Sequence, residues 1–597
     1  MSAPVVFNIT VADPNSHLFN VRCTVREPDA AGQVFSLPSW LRGSYLVRDF
    51  AKHVQGLTAT RAHRAVAVTR LDKRSFRCAP GRGALTLEYS VYAHDPSVRK
   101  AWLDDRRGFF NASSLCYCPV GFERSEFEIE IRRPAGSQCK DWKLATTLAA
   151  KKVGRNGFGL YRAPDYEDLI DHPVEMGPFE QLDFEVDGIP HALVLSGRYE
   201  LDRERVIRDL KKICHVEREM FRQEPRLQRY LFLAQVTAGA YGGLEHRSST
   251  ALICSREDFP RKGSDELSRE YRGFLGLCSH EYFHLWNVKR ITAQRFLESD
   301  LSAEAYTEDL WHYEGITSYY DDLFLLRAGL FDAPTYLDIV AENATRLARN
   351  PGRALHTLAD ASFEAWIKYY QPDEHTPNAT VSYYVKGGLA ALCLDLTLRL
   401  HSDITLDDVM RGLWKRHGAT GIGVPEGGLE TLAQELSGLK LKPFFDRILR
   451  STRELPLAEL LGEFGVQAQQ RPTQGENDRG GRSASGAALP ASLGLGLKTG
   501  DTRVSQIFSD SPAARAGIAA GDQLVAIDGL RITPANWPRH LAALQPGISC
   551  TLQFFRDDEL LSATVLPQKP ARDTWTLSLM PGVGGETLKR RRRWLGA

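Results

Sequence analysis

The chain has 597 residues, of which 43% are hydrophobic; that exceeds what one core organises and sets an expectation of two to four domains. Its 75 Lys+Arg and 74 Asp+Glu leave a formal charge of +1, so no global field draws it to nucleic acid or an anionic membrane. No window is long and apolar enough for a membrane-spanning helix, and the opening MSAPVVFNITVADPN has no basic stretch followed by an apolar one. The ten cysteines include one close pair, Cys116 and Cys118, whose single-residue gap suits tetrahedral chelation poorly, so the expectation is a cytoplasmic protein with reduced, buried thiols.

Residues 1–185 alternate in short runs such as VFNITV, ALTLEYSVYA and FEIEIRR, broken by PDAAG, APGRG and RPAGS. This pattern predicts an N-terminal antiparallel β domain, a sandwich. A second domain is expected over 186–465. Its first part mixes an amphipathic helix over LDRERVIRDLKKICHVEREMF with strands over RYLFLAQV and STALIC, the order of a helix-covered sheet. From about 264 onward long helical windows dominate and predict a helical lobe. Residues 466–490 are rich in Gly, Ser, Pro and charge and read as a linker or long loop. Residues 491–575 return to short strands and Gly turns, a small separate domain, and 576–597, with LKRRRRWLGA, read as a solvated basic tail.

Within the helical part, CSHEYFHLW places His280 and His284 four residues apart. If residues 274–286 are helical, four steps of about 100° bring the two imidazoles to one face, where both can meet one ion. Leu275, Cys278, Tyr282 and Leu285 form an apolar stripe away from them, so the helix can pack with one side and chelate with the other. Glu281 is poorly aligned to chelate with the pair and well placed to accept a proton from an attacking water. Two helical histidines leave a catalytic zinc one protein ligand short. The stretch LWHYEG offers Glu314, while Glu304 lies nearer in sequence and is a rival.

The segments HEYFHLWNVKRI, LWHYEGITSYY, YGGLEH and SYYVKGG, with the terminal PDZ-like unit, resemble the glycyl aminopeptidase family. These are PDZ-containing gluzincin zinc metallopeptidases related to aminopeptidase N and thermolysin. WLRGSYLVRDFA, residues 40–51, also resembles that family's N-terminal region. The resemblance implies a multidomain α+β chain: an N-terminal β-sandwich, a thermolysin-like catalytic domain with a helical lobe, and a C-terminal PDZ-like domain. It implies His280, His284 and Glu314 as ligands of one Zn2+ per chain, with Glu281 as general base. Trp311 and Gly315 frame Glu314 as in the LWxxEG stretch of aminopeptidase N relatives.

YGGLEH is similar to the GxMEN exopeptidase motif, with Leu244 for Met and His246 for Asn. Glu245 would then hold a substrate's α-ammonium by a charge-assisted hydrogen bond, and Gly242 and Gly243 would let backbone approach the peptide. SYYVKGG resembles the segment whose tyrosine stabilises the tetrahedral intermediate, which falls on Tyr384; Tyr383 would point elsewhere. LGLGL followed by SPAARAGIAAGDQLVAIDG is a PDZ-like signature, in which Leu493–Leu497 would offer amides to a carboxylate beside an edge strand. The expected partners are peptides with free N-termini, and a peptide C-terminus or strand at the PDZ-like domain. The function implied is a zinc aminopeptidase favouring glycine and alanine. Its alternatives are a zinc endopeptidase and a noncatalytic peptide-binding scaffold.

Overall fold

The computed structural model describes residues 4–11, 13–222, 225, 227–475, 477–482 and 488–596. The chain forms two compact units, Met1–Ala305 with Leu413–Pro425, and Tyr306–Gly412 with Glu426–Ala597.

In the first unit, the β-rich part is built on an eight-stranded sheet. Its centre consists of β1 (Val5–Val11), β2 (Leu18–Val25), β3 (Leu85–Tyr92) and β4 (Phe127–Ile131). The alternation read from the sequence is real: Val5, Phe7, Ile9 and Val11 are buried along β1, and Leu85, Leu87, Tyr89 and Val91 along β3. Two four-stranded sheets accompany it, with Phe19 of β2 packed on Phe110, ring centroids 5.4 Å apart. The expectation of purely antiparallel pairing is corrected at one point, because β1 pairs β4 in parallel, Val5 opposite Phe127. A parallel pair needs a long crossover, and alternation within each strand says nothing about its partner.

The same unit continues into a five-stranded mixed sheet of β5 (Glu180–Val186), β6 (Ile189–Gly197), β7 (Tyr230–Thr237), β8 (Gly242–Glu245) and β9 (Ser249–Ser255). Its order is β5-β6-β7-β9-β8, with parallel pairing of β6–β7 and β7–β9, and β8 an antiparallel edge. Helix α1 (Arg203–Phe221), capped by the Asp202 side chain, joins β6 to β7. Helix α2 (Arg269–Phe283), capped by Ser268, follows β9. The two helices are tied by Ser279 Oγ donating to Glu217 (2.9 Å) and Tyr271 OH donating to Asp209 (3.0 Å).

The second unit begins with a π-helical turn, Trp311–Gly315, running straight into α3 (Ile316–Arg327). Helix α4 (Ala333–Ala348), the short α5 (Thr376–Ala379) and α6 (Val385–His401) follow. Positions 389–398 of α6 are all buried, as expected of a helix apolar on every side. The PDZ-like module contains β11 (Leu495–Leu497), β12 (Val504–Ile507) and α7 (Trp537–Ala543), together with a four-stranded sheet. Its core gathers Leu493, Val504, Ile518, Leu524, Trp537 and Leu552.

Two sequence expectations are corrected here. The first residues of the supposed linker, Val466–Arg471, are strand β10, paired antiparallel with β13 (Thr574–Leu579) from Val466 opposite Leu579 to Arg471 opposite Thr574. Its polar composition hides it because the backbone ladder supplies the pairing. Buried Asp478 then binds Arg471 Nη2 at 3.0 Å. Residues 476 and 483–487 of that linker lie outside the described residues. The basic tail is likewise a helix, α8 (Gly585–Leu595), anchored by buried Trp594 against Tyr336 and Phe464, centroids 6.2 and 5.7 Å away. The run of arginines masked the apolar pair Trp594 and Leu595 that docks it.

Among the described residues, no helix is long and apolar enough to cross a membrane.

Candidate active site

Helix α2 delivers the histidine pair. Leu275, Cys278, Tyr282 and Leu285 are all buried, and the rings of His280 and His284 stand 4.6 Å apart at 87°. The helix stops at Phe283 with His284 as its C-cap, short of the 286 expected, but the cap residue keeps right-handed helical dihedrals and so preserves the one-turn relation. His284 Nδ1 donates to Asn287 O at 3.1 Å, the tautomer in which Nε2 is the ring nitrogen able to ligate a metal. Behind that carbonyl, buried Val288 adopts φ +82, an unfavourable conformation for a β-branched residue. It is held by Val288 N donating to Ile291 O at 3.0 Å.

Glu281 is buried, and its Oε2 lies 3.4 Å from the Thr250 hydroxyl on β9. Edge strand β8 passes directly over it: a Cβ built on Gly243 would stand 2.0 Å from Glu281 Oε1. The glycine is there because the strand and the carboxylate need that space. Gly243→Ala should therefore push Glu281 aside; with Glu281 as the general base that the resemblance implies, turnover falls on the order of 10²-fold, the scale of a small misplacement of a catalytic group, while zinc content stays at the parent level. Steady-state kinetics alongside metal analysis would check it; parent-like turnover would show that the contact does not position the carboxylate.

Glu245 ends the same strand, opposite Thr250, and is buried. The sequence does not foreshadow what surrounds it. Gly43, at φ +97, lies against the carboxylate so closely that a Cβ there would meet Oε1 at 2.2 Å, and Arg99 Nη2 donates to Gly243 O at 2.9 Å. The segment around Gly43 was noticed only for its family resemblance, and nothing in the sequence marked Arg99. His246, next along, is engaged by Asp171, which also accepts from Lys289 Nζ at 2.5 Å and Arg247 N at 2.8 Å. Burial would raise the Asp171 carboxyl, but Lys289 and His246 hold it well below the usual range. The departure from Asn at 246 is thus an anchor for the strand end.

Glu314 sits in the π-helical turn, a local geometry often found at functional sites. The turn packs on α6 where two glycines meet: a Cβ on Gly315 would lie 2.6 Å from Gly387 Cα. That close approach gives the glycines of LWHYEG and SYYVKGG a common physical reason. Tyr384 is half-buried at the N-cap of α6, whereas Tyr383 is fully buried. The two do not point apart as expected. Their rings are 4.7 Å apart, and both hydroxyls lie 3.1 Å from Tyr370 OH, a residue the sequence did not single out. Desolvation, then the Glu314 charge and the neighbouring phenols, push the Tyr384 phenol well above its ordinary value, which keeps it a hydrogen-bond donor at neutral pH.

The ligand atoms of His280, His284 and Glu314 all lie within 4.8 Å of one another, and among the described residues they are the only such group of three or more. Glu304 lies outside it, in irregular chain. Two imidazole nitrogens and one carboxylate oxygen form the donor set of a catalytic zinc with one position left open, so these residues fit the ion.

Three comparisons bear on this arrangement. Residues 6–178 match the Peptidase M61 N-terminal domain, 273–390 match M61 glycyl aminopeptidase, and 491–566 match the PDZ domain. The second match includes His280, Glu281, His284, Glu314 and Tyr384. A solved structure of an aminopeptidase N family protein from Idiomarina loihiensis is 37% identical, covers 99% of this chain and 100% of its own, and superposes with a TM-score of 0.94. A Mesorhizobium japonicum protein named as a zinc metalloprotease is 32% identical over 73 residues, 12% of this chain. That match spans 20% of the relative's length.

Proposed function

The chain belongs to the glycyl aminopeptidase family of PDZ-containing gluzincin zinc metallopeptidases, and from that premise we propose that it hydrolyses N-terminal residues from peptides, glycine and alanine first. His280, His284 and Glu314 would hold one zinc ion. The observation that supports this most is their grouping, with Glu281 beside the histidines.

When bound, zinc supplies Lewis-acid chemistry, polarising the scissile carbonyl and acidifying the attacking water. The Glu281 carboxylate accepts a proton from that water and returns it to the leaving amine. The Tyr384 hydroxyl donates to the oxygen on which negative charge develops, an interaction stronger in the transition state than in the bound substrate. Glu245 receives the α-ammonium of the peptide, and the backbone at Gly242 and Gly243 lies alongside it. The preference for small first residues rests on the match to M61 glycyl aminopeptidase. The PDZ-like module would take a peptide C-terminus or strand along β11. A reducing, cytoplasmic setting is supported by the ten cysteines, all buried and none in a disulfide.

The exopeptidase assignment makes Glu245 answerable to one comparison. A carboxylate that binds an ammonium gains nothing from an acetylated N-terminus, so N-acetylation should abolish most cleavage by the parent enzyme. Glu245→Ala should lose activity on free peptides and erase much of that difference. Comparable kcat/KM for Glu245→Ala and parent on free peptides would remove Glu245 from the role.

A further inference from the structure

The segment that carries Tyr384 is held from the PDZ-like module by one side chain. Asn378, on α5, is 5% exposed. Its Nδ2 donates to Ile507 O at 2.8 Å, and its Oδ1 accepts from Ser509 N at 2.9 Å. A primary amide is the group that can give and take at once across the end of a strand, so the pair of contacts also fixes which way the amide faces.

Ile507 closes β12, the partner of β11, and Phe508 N donates to Gly494 O at 3.0 Å. Asn378 therefore grips the backbone that backs the carboxylate-receiving loop.

From Asn378 to Tyr384 the chain has little freedom. Thr380 N donates to Thr376 O at 3.0 Å, and Val381 N donates to His356 Nδ1 at 3.2 Å. His356 Nε2 in turn lies 3.0 Å from Glu364 Oε2. Gly352 lies against the Thr380 backbone so closely that a Cβ there would meet Thr380 O at 2.3 Å. Past Tyr384 the chain enters α6, and Gly388 N donates to Tyr384 O at 2.8 Å.

A second observation runs the same way. A cavity of about 1170 Å³ is lined on one side by Leu493, Gly494 and Leu495 of the module, and on the other by Leu347 of α4 and Leu389 of α6. Leu389 belongs to the helix that Tyr384 starts. The module thus meets the tyrosine-bearing element both through a hydrogen-bonded clamp and across the cavity that its loop opens into.

We propose that Asn378 is a positioning residue for Tyr384, so that the PDZ-like module sets the placement of the oxyanion donor. The proposal rests on the reading of Tyr384 as that donor. Hydrogen-bond donors of this kind act only when aimed at the developing charge before reaction. A six-residue segment fixed at one end by Asn378 and at the other by α6 provides that aim.

The test is a double-mutant cycle on the full-length, zinc-loaded enzyme with a free tripeptide substrate. Asn378→Ala should lower kcat on the order of 10- to 100-fold, as for misplacement of a catalytic group, with KM and zinc content near the parent's. In a Tyr384→Phe background the same substitution should change kcat little, because the group it positions is already gone. A general structural defect would instead lower kcat by the same factor in both backgrounds, and that result would overturn the proposal, as would a parent-like kcat for Asn378→Ala. If Asn378→Ala does not fold, Asn378→Asp is read in its place, since it keeps the shape and the acceptor for Ser509 N and replaces the donor to Ile507 O with a charged oxygen that cannot donate. Tyr384→Phe with parent-like kcat would overturn the Tyr384 reading and the proposal with it. A slow Tyr384→Phe combined with additive effects overturns the proposal alone.

Discussion

Glu281→Gln should retain zinc and lose turnover by roughly 10²- to 10⁴-fold, the usual contribution of a positioned general base. The amide occupies the same volume under Gly243 and can still accept a contact from Thr250, so the surroundings of the residue need not change. It lacks the basic oxygen that takes up the water proton. The three residues grouped for the metal, His280, His284 and Glu314, are untouched. Metal and rate should therefore separate, which atomic absorption and steady-state kinetics on one preparation would record. Parent-like hydrolysis by zinc-loaded Glu281→Gln would remove the assigned base.

Glu314→Ala should weaken zinc binding by more than the roughly 10- to 100-fold typical of removing an outer partner of a metal ligand, because on the proposed assignment it deletes one of three protein ligands. Glu304→Ala should bind zinc like the parent, since Glu304 lies outside the group. The comparison is fair because both changes remove one carboxylate and alter net charge equally. Competitive titration of each apo-protein against a chromophoric chelator measures the two affinities. Loss of binding in Glu304→Ala, with Glu314→Ala intact, would reverse the ligand assignment.

The two parts of the site were legible to different degrees because they rest on different kinds of signal. His280, Glu281 and His284 lie within one helical turn, so spacing alone places them together. Glu314 and Tyr384 come from separate elements, and only a resemblance could connect them with the pair. The contacts that explain their glycines, Gly243 over Glu281 and Gly315 against Gly387, are close approaches between elements that no periodicity encodes. Arg99 and Asn378 carry no signal because each is a polar residue in an ordinary local pattern whose partner lies far along the chain; Tyr370 lies 14 residues from Tyr384, across a turn that no periodicity encodes. In the fold, the β-rich start and the helical lobe follow from alternation and helical spacing, and the PDZ-like module from its LGLGL and SPAARAGIAAGDQLVAIDG signature. Strand β10 and helix α8 do not, because the polar character of VQAQQR and the arginine run outweigh the few apolar residues that fix them.

The central claim is that zinc and a free N-terminus together define the reaction. The most direct measurement is mass spectrometry of the products that protein of known zinc content releases from a short Gly- or Ala-led peptide and from its N-acetylated twin, with a chelator-treated control. The account predicts one zinc per chain, stepwise loss of residues from the free N-terminus, an intact acetylated peptide and no products after chelation. Internal fragments from the acetylated peptide at a rate matching the free one would contradict it and favour an endopeptidase, and a zinc-loaded protein that cleaves neither would contradict catalysis altogether.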